Sequence, residues 1–376
     1  MSEETVAIVA IVGALMWWSL VLIPWRPWQT CERIEPDAVG TGSLLDDITV
    51  LIPARNESQY IRQTLQALHK QGKGIHVIVV DDQSVDDTAT QAQENGAHVI
   101  IGSTPPVGWS GKLWALEQGL REVDTPYVLL LDADIELMPG MVAALKTKAQ
   151  QEKFALVSIM AEPPLAGFIE RLLMPPFIYF FKLLYPFSLA NKSSSPVAAA
   201  AGGCILVKTE ALRATDAFLS LHDALIDDCT LAARIKQAGL KSWIGLSHSA
   251  RIHRGYHNLK SVWEMVARTA YTQLQYSPLM LGICTLVMVC MFLLAPFAPL
   301  VLSSTEAFII CALTWIAMMI TYFPILIYYR RSLLWGLTLP IAGILYLAMT
   351  WTSALRYWQG ERANWKDRRY GSKPHH

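Results

Sequence analysis

The stretch Leu129-Leu-Leu-Asp-Ala-Asp-Ile-Glu136, LLLDADIE in one-letter code, joins an apolar run to two aspartates one residue apart. The three leucines predict a strand inside a sheet. Asp132 and Asp134 then repel one another at its end unless a cation lies between them. Mg²⁺ or Mn²⁺ needs only one or two carboxylates when substrate phosphates supply the other ligands. We therefore predict that these aspartates hold Mg²⁺ or Mn²⁺ carrying a diphosphate.

The chain around this stretch, from residue 45 to residue 268, has the pattern of an α/β domain. Short β-branched runs alternate with amphipathic helical stretches, which predicts a mostly parallel sheet covered by helices. The predicted strands cover residues 48–52, 75–80, 97–101, 127–131 and 154–159. Capping boxes beginning at Asn56 and Ser84 predict two helix starts, and Pro139 is predicted to be the first residue of a later helix.

Polar residues follow several of these predicted strands. In an open parallel sheet, ligands bind beyond the carboxyl ends of the strands. These ends carry Pro53-Ala-Arg-Asn-Glu57, Asp81-Asp82 and the Asp132/Asp134 pair, and they are more acidic than turn formation requires. Taken alone, either aspartate pair is more often an ordinary turn or helix cap. Their occurrence at successive strand ends favours one shared ligand site.

Four apolar runs are each long enough to cross a bilayer. They cover residues 5–24, 277–302, 307–329 and 332–358, and the mean hydropathy of the chain is +0.31. A cleaved signal peptide is the alternative for the first run, but Glu3 and Glu4 give it an acidic rather than a basic front. We predict an N-terminal anchor over 1–26 and C-terminal membrane helices over 277–358.

Charge and cysteine content argue against two other classes of protein. Lys and Arg number 31 and Asp and Glu number 31, so the chain lacks the basic field that nucleic-acid binding requires. The six cysteines are scattered and form no Cys-x-x-Cys pair, which argues against a zinc or redox centre. We expect no nucleic-acid partner and reduced, mostly buried thiols.

Six pieces of sequence, in order, resemble the family 2 glycosyltransferases. They are VLIPARNE at 50–57, VIVVDDQSVDDT at 77–88, GKLWALEQG at 111–119, LLLDADIE at 129–136, AGGCILVKTEAL at 201–212 and IDDCTLAARIKQAGLK at 226–241. The resemblance implies a catalytic domain over 45–268 with the Rossmann-like, nucleotide-sugar-binding fold of A-type glycosyltransferases. The longer GWSGKLWALEQG and the membrane runs look most like the hopanoid-biosynthesis-associated members of the family.

The resemblance also assigns roles to residues that would bind the donor. Pro53, Arg55 and Glu57 match positions that border the nucleoside. Asp82 matches the residue that bonds the base, and Lys112 should lie near the nucleotide. Asp132 and Asp134 match the metal-binding Asp-x-Asp. A nucleotide sugar is therefore the expected donor, with a UDP-sugar preferred.

Asp228 matches the second acidic residue of the pair that supplies the catalytic base. Leu231, Ile235 and Ala238 predict a helix ended by Gly239, which places Asp228 in its first turn. A carboxylate there stays ionised and can take a proton from a hydroxyl, although compensation of the helix dipole is the simpler alternative. The resemblance implies an inverting single displacement at the anomeric carbon.

Membrane synthases that make long polymers carry a motif in which Gln or Arg is followed, after two residues, by Arg-Trp. Here the sequence is MVART at 265–269, and Arg268 is the only motif residue that remains. This departure favours transfer of a single sugar over polymerisation. Arg268 is a candidate to neutralise the leaving diphosphate, and contact with lipid headgroups is the alternative.

The acceptor is predicted to be a lipid, and a hopanoid is the candidate from the resemblance. Residues 165–190 contain an apolar stretch interrupted by Pro175-Pro176 and Pro186 and carrying charges, which favours the membrane interface over a span. An ordinary core segment is the alternative. The basic tail, 359–376, and Arg330-Arg331 both prefer the cytoplasm although one run separates them, so a re-entrant segment at Gly336, Pro340 and Gly343 is considered.

A bacterial inner-membrane protein with its catalytic domain in the cytoplasm is expected, because nucleotide sugars are cytosolic. Two alternatives remain open within the same fold, a polyprenyl-phosphate sugar synthase and a polysaccharide synthase. A nucleotide-binding scaffold or transporter is the alternative from another class. The apolar runs beyond residue 277 contain few ionisable residues, which argues against a transport pathway.

Overall fold

The computed structural model of the chain describes residues 3–36, 42–222, 227–300, 302, 304–360, 364–365 and 368–369, with the backbone alone at 227 and from 364 onward. The chain divides into two compact units. The sheet unit comprises Glu32–Pro164, Phe187–Gly255 and Ala363–His376. The helical unit comprises Met1–Cys31, Leu165–Pro186 and Tyr256–Arg362.

The strands of the main sheet all belong to the sheet unit. They are β1 (Ile48–Ala54), β2 (His76–Asp81), β3 (His98–Ile101), β4 (Tyr127–Leu131), β5 (Ile135–Leu137), β6 (Leu156–Glu162), β7 (Cys204–Lys208) and β8 (Ser242–Ile252). Their order across the sheet is β3-β2-β1-β4-β7-β6-β8-β5. Neighbours among β3, β2, β1 and β4 are parallel, as predicted. β7 runs antiparallel to both β4 and β6, and β8 is parallel to β6 and antiparallel to β5, so the second half of the sheet is mixed.

The helices, in chain order, alternate with these strands and then dominate the C-terminal third. They are α1 (Glu3–Leu22), α2 (Ile61–Leu68), α3 (Thr88–Glu94), α4 (Gly111–Leu120), α5 (Met141–Gln151), α6 (Phe168–Leu184), α7 (Phe187–Ala190), α8 (Thr209–Ala214), α9 (Ala217–Ser220), α10 (Asp227–Gln237), α11 (Leu259–Ala267), α12 (Ala270–Gln273), α13 (Pro278–Val289), α14 (Thr305–Tyr328) and α15 (Leu339–Trp358).

The two faces of the sheet carry separate apolar cores. Side chains alternate between faces along a strand. Val50 and Ile52 of β1 accordingly join a cluster that includes Leu65 of α2 and Leu145 of α5. Leu51 points the other way and joins the cluster that contains α4 and α10. Because both faces are covered, β1 is buried along its whole length and is almost entirely apolar.

Three predicted helix starts are wrong. α2 begins at Ile61 without a side-chain cap, because Asn56 adopts a left-handed conformation (φ 51°) and its amide oxygen accepts the N–H of Val85. α3 begins at Thr88, and the side chain of its N-cap residue, Asp87, makes no capping hydrogen bond. α5 begins at Met141, two residues after Pro139, because Gly140 turns the chain with φ 84°.

Among its described residues, the helical unit contains four helices long and apolar enough to cross a membrane: Glu3–Leu22, Pro278–Leu300, Thr305–Tyr328 and Leu333–Trp358. They match the four predicted runs. Two are irregular, with a π-helical turn at Cys290–Leu294, 3₁₀ turns at Ala295–Leu300 and a further 3₁₀ segment at Leu333–Thr338 before α15. The number of crossings and the re-entrant segment stay predictions.

The 165–190 segment was expected to be interrupted at Pro175-Pro176, and this expectation is wrong. α6 runs unbroken from Phe168 to Leu184 through both prolines. Tertiary packing explains its continuity, since Leu173 lies in a cluster with Met349 and its carbonyl accepts a hydrogen bond of 2.8 Å from the Tyr346 hydroxyl. The part of this segment up to Pro186 belongs to the helical unit.

Of the predicted basic tail, only short pieces are described. Asn364–Trp365 and Arg368–Arg369 pair as an antiparallel bridge. Arg362 and Lys366 lie outside the described residues.

Candidate active site

The acidic strand ends predicted to share a site lie at one edge of the sheet. β2, β1 and β4 are adjacent and parallel, so their carboxyl ends point the same way. Asp82 follows β2, Glu57 follows β1, and Asp132 directly follows β4. The sheet therefore brings these three carboxylates to a common edge, as the sequence predicts.

Asp132 is paired with a lysine from the start of α4, the helix that precedes β4 in the chain. Its Oδ1 lies 2.8 Å from Lys112 Nζ. Lys112 is in the first turn of α4, and that turn is fixed because Ser110 Oγ accepts the N–H of Leu113 at 3.1 Å. Both side chains remain partly open to solvent, so this ion pair faces the surroundings of the site.

Asp134 and Glu57 are joined by an arginine that the sequence analysis missed. Arg254 Nη2 lies 2.8 and 2.6 Å from the two Glu57 carboxylate oxygens, and its Nε lies 2.8 Å from Asp134 Oδ2. Arg254 follows the last strand of the sheet, β8. A basic residue directly after a strand is the signal that could have drawn attention to it, but its partners are distant in sequence.

The charges around Arg254 determine its ionisation. Burial lowers the pKa of Arg254, but the negative charges of Glu57 and Asp134 outweigh burial and raise the pKa above its ordinary value. Arg254 therefore remains a cation at every physiological pH.

The loops after β1 and β2 are fastened to each other. Arg55 Nη1 donates to the backbone carbonyl of Asp82 and lies 3.8 Å from its carboxylate. Asn56 N–H donates to Ser84 Oγ at 2.9 Å, and Glu57 N–H donates to Thr88 Oγ1 at 2.8 Å. These bonds make one rigid rim from the two predicted nucleoside-binding loops.

Asp228 lies at the start of α10, as predicted. Its Oδ1 accepts the N–H of Cys229 at 2.7 Å, and its Oδ2 accepts the N–H of Gly202 at 2.8 Å. The N-terminus of a helix favours a negative charge, so both the bonds and the dipole favour a carboxylate. The side chain of its neighbour Asp227 lies outside what the structure describes.

Gly202 lies close to both this carboxylate and Lys112. A Cβ added at Gly202 would lie 3.3 Å from Asp228 Oδ2 and 3.6 Å from Lys112 Nζ. Pro53, Asp132, Lys112 and Asp228 line the same small pocket. The structure thus gathers four of the predicted site residues around one space, which is bordered by apolar side chains.

Arg268 is the predicted site residue that lies in the other unit. It follows α11 as the C-terminal cap of that helix. Its predicted role at the leaving diphosphate therefore stays a prediction, as do the individual roles of the residues in the sheet unit.

The two aspartates of the Asp-x-Asp fit a divalent cation. Asp132 Oδ2 and Asp134 Oδ1 accept no hydrogen bond from the described residues, so each side chain keeps one open oxygen. Among the described residues, no group of three or more His, Cys, Asp or Glu side chains is arranged to hold a metal ion. Two carboxylates suffice for Mg²⁺ or Mn²⁺ when substrate phosphates supply further ligands, so this donor set suits a metal that arrives with a nucleotide.

Cys204, which begins β7 beside Asp132, is not a nucleophile candidate. Burial first, and the charge of Asp132 second, raise the pKa of its thiol well above the ordinary value. It is fully buried as a neutral thiol.

The sheet order and its acidic edge define the class of fold, that of the A-type glycosyltransferases. A solved structure titled "Mannosyltransferase PcManGT from Pyrobaculum calidifontis in complex with GDP-Man and Mn2+" has the same fold, with a TM-score of 0.56 and 18% identity, covering 96% of this chain and 100% of that one. Residues 49–215 match the family described as glycosyl transferase family 2.

Two curated relatives are similar over part of their length. A 4,4'-diaponeurosporenoate glycosyltransferase of Staphylococcus haemolyticus (strain JCSC1435) is 34% identical over 127 residues, which are 33% of this chain and 34% of the relative. An uncharacterized glycosyltransferase of Mycobacterium tuberculosis (strain ATCC 25618 / H37Rv) is 33% identical over 122 residues, covering 32% and 51%. The match spans between a third and a half of the length of these relatives.

Proposed function

We propose that this protein is an inverting membrane glycosyltransferase that moves one sugar from a nucleotide-sugar donor to a lipid hydroxyl. The observation that carries the proposal is the pocket at which Asp228, Lys112 and Asp132 meet. A carboxylate base and a cation beside a metal-binding carboxylate are the groups that glycosyl transfer from a diphosphate requires.

In the reaction, the acceptor oxygen attacks the anomeric carbon while the bond from that carbon to the diphosphate oxygen breaks. The acceptor proton passes to Asp228, and the nucleoside diphosphate leaves with the electron pair of the broken bond. Gly202 and Cys229 hold the base through their N–H groups, and a carboxylate oxygen keeps further lone pairs for the proton. Lys112 offsets negative charge that grows on the leaving group.

Asp132 and Asp134 would hold Mg²⁺ or Mn²⁺ through their open oxygens. When bound, this ion supplies positive charge to the diphosphate as it leaves. Pro53, Arg55 and Glu57 border the nucleoside and Asp82 bonds its base, with a UDP-sugar as the preferred donor. Because the similar mannosyltransferase from Pyrobaculum calidifontis was solved in complex with GDP-Man and Mn²⁺, guanine donors also need testing.

A lipid acceptor is supported by the helical unit, whose four candidate spans are long and apolar enough to cross a membrane. The name of the Staphylococcus haemolyticus relative, 4,4'-diaponeurosporenoate glycosyltransferase, also indicates a lipid-type acceptor for that protein. We extend the proposal to a hopanoid acceptor on the resemblance of GWSGKLWALEQG and the membrane runs. The sheet unit would face the cytoplasm of a bacterial inner membrane, α6 would lie at the interface, and Arg268 would approach the leaving diphosphate.

The test is transfer by the detergent-purified full chain, using a panel of labelled nucleotide sugars with total lipid extract as acceptor. Each assay runs with and without Mg²⁺ or Mn²⁺. Asp134→Ala and Asp228→Asn are compared with Glu117→Gln, a surface variant whose carboxylate pairs only with exposed Arg121 among the described residues. We expect metal-dependent formation of one labelled lipid, lost in both site variants and retained in the control.

The product and the negative result each decide an alternative. Release of the sugar by mild acid would identify a polyprenyl-phosphate linkage, and a ladder of products would identify a polymer synthase. Absence of both transfer and metal-dependent nucleotide binding would overturn the enzyme proposal in favour of a scaffold.

A further inference from the structure

Arg254 contacts more charged groups than the proposed reaction uses. One guanidinium nitrogen spans both Glu57 oxygens and another donates to Asp134. Its face also lies over the ring of Tyr60, 5.0 Å from the ring centre. An arginine held on two sides and stacked on a ring has a defined position, so its charge acts at a fixed place.

The backbone sets that position relative to the Asp-x-Asp. The N–H of His253 donates to the carbonyl of Asp134 at 2.8 Å. The residue before Arg254 is thereby fixed to the backbone of Asp134 itself. The position of Arg254 is therefore tied to that of Asp134. Arg254 Nε occupies Asp134 Oδ2 whenever the arginine keeps this conformation.

The two carboxylates of the Asp-x-Asp are thus each matched by a cation of the chain. Lys112 occupies one oxygen of Asp132, and Arg254 occupies one oxygen of Asp134. Lys112 and Arg254 offset two of the three negative charges of Asp132, Asp134 and Glu57, and Asp228, which lines the pocket with Lys112, adds one further negative charge. The two cations weaken the attraction of this site for a divalent ion alone.

We infer that Arg254 is a positioning residue that makes metal binding depend on the diphosphate. With Lys112 it neutralises the Asp-x-Asp until a diphosphate brings its own negative charge, and metal and nucleotide then bind cooperatively. The inference rests on the proposed function, since it requires that the site accept a nucleoside diphosphate. A merely structural ion pair would stabilise the fold without coupling the two ligands.

The test is Mn²⁺ binding to the full-length protein in detergent, followed by the electron paramagnetic resonance signal of free Mn²⁺. Titrations run alone and with UDP or GDP. Arg254→Gln removes the charge, and Arg254→Lys keeps it. Arg251→Gln is the matched control, because Arg251 lies on β8 three residues before Arg254, is half exposed and pairs with Glu162 instead of Glu57 or Asp134.

For the wild type we expect a nucleoside diphosphate to tighten Mn²⁺ binding about tenfold or more. Arg254→Gln should bind Mn²⁺ alone about tenfold more tightly than wild type, and the tightening by nucleotide should shrink. Arg254→Lys should lie between the two, and Arg251→Gln should behave as wild type. Lys112→Met tests the second counter-ion independently and should also strengthen binding of Mn²⁺ alone.

Equal wild-type affinity for Mn²⁺ with and without a bound diphosphate would overturn the inference, whatever the variants do. Unchanged or weaker Mn²⁺ binding by folded Arg254→Gln would overturn it as well. If Arg254→Gln does not fold, the Lys112→Met result decides in its place. Failure of the proposed function is distinguishable, because the wild type would then bind neither UDP nor GDP at any Mn²⁺ concentration.

Discussion

Glu57 in the sheet unit and Glu170 in the helical unit are both buried carboxylates, exposed by 7% and 0%, but they are held differently. Glu57 faces the guanidinium of Arg254. Glu170 accepts backbone N–H groups from Ala166 and Gly167 on one oxygen and from Tyr256 on the other. A side-chain cation can exchange partners when a ligand brings charge, whereas backbone donors cannot leave. The first arrangement suits a binding site and the second suits a structural clamp.

The ionisation of Glu170 agrees with this reading. Burial raises the pKa of its carboxyl, but the N–H donors of Gly167, Tyr256 and Ala166 outweigh burial and leave the pKa below its ordinary value. The side chain is charged at neutral pH and fastens the start of α6 to the segment that begins at Tyr256. It is satisfied within the fold and needs no ligand.

Asp228 tests the distinction between a binding site and a structural clamp. Backbone N–H groups hold it, as they hold Glu170, but it lines the pocket. Our proposal predicts that Asp228→Asn lowers the transfer rate by about 10² to 10⁴-fold, since the amide cannot take the acceptor proton. Donor binding should change little, and the melting temperature should fall modestly, because the amide oxygen can accept only one of the bonds from Gly202 and Cys229. Single-turnover transfer with a saturating donor measures the rate. A variant that lost stability but kept its rate per folded molecule would show that Asp228 is a clamp like Glu170.

Glu170→Gln is the second test, and it should act on stability. The amide presents N–H₂ toward backbone donors and leaves at least one of them buried without a partner, which costs about 1–3 kcal/mol. Thermal unfolding in detergent measures the loss at neutral pH. The Mn²⁺ dependence of the folded variant should equal that of wild type. A changed Mn²⁺ dependence with normal stability would contradict the structural role.

Glu57→Gln should give the complementary result. Removing one of the carboxylates around the site lowers its attraction for a cation, so half-maximal activity should need about tenfold more Mn²⁺. This shift is opposite in sign to that expected for Arg254→Gln. The melting temperature should fall less than in Glu170→Gln, because Arg254 keeps Asp134 as a partner. Equal stability losses at Glu57 and Glu170 would remove the distinction between the two carboxylates.

The same contrast explains what the sequence could predict. The acidic strand ends follow from local pattern, since Asp82 and Asp132 each end an apolar run and parallel strands share an edge. Arg254 could not be found this way, because its partners Glu57 and Asp134 lie 197 and 120 residues away. The antiparallel direction of β7 could not be predicted from its own five residues either.

Predictions from local sequence were wrong where the residue makes contacts with residues distant in the sequence. Asn56 has the composition of a helix cap, but its amide bonds Val85 across the neighbouring loop. Pro175-Pro176 has the composition of a helix break, but packing around Leu173 keeps α6 continuous. In both cases tertiary contacts outweigh a local preference worth only about 1–3 kcal/mol.

Glu264 offers the smallest and sharpest test, because it is paired with a side-chain cation but lies in the helical unit and is not one of the predicted site residues. Its oxygens accept bonds of 2.6 and 2.8 Å from Arg356, and both side chains are substantially exposed. The hydrogen bond from Arg356 outweighs burial and lowers the pKa of Glu264. Solvent screens such a pair, so Glu264→Gln should cost less than about 1 kcal/mol in thermal unfolding.

The pH dependence of that small loss has a defined sign. A lowered folded-state pKa contributes stability above the ordinary carboxyl value of 4.5, and this contribution disappears as the pH falls through the folded-state value. The difference between wild type and Glu264→Gln should therefore be present at pH 7 and vanish in acid, and added salt should reduce it at pH 7. A salt-insensitive loss as large as that of Glu170→Gln would mean that solvent exposure does not separate these carboxylates. In that case, whether a carboxylate is held by a side-chain cation or by backbone N–H groups would not distinguish a binding site from a structural clamp.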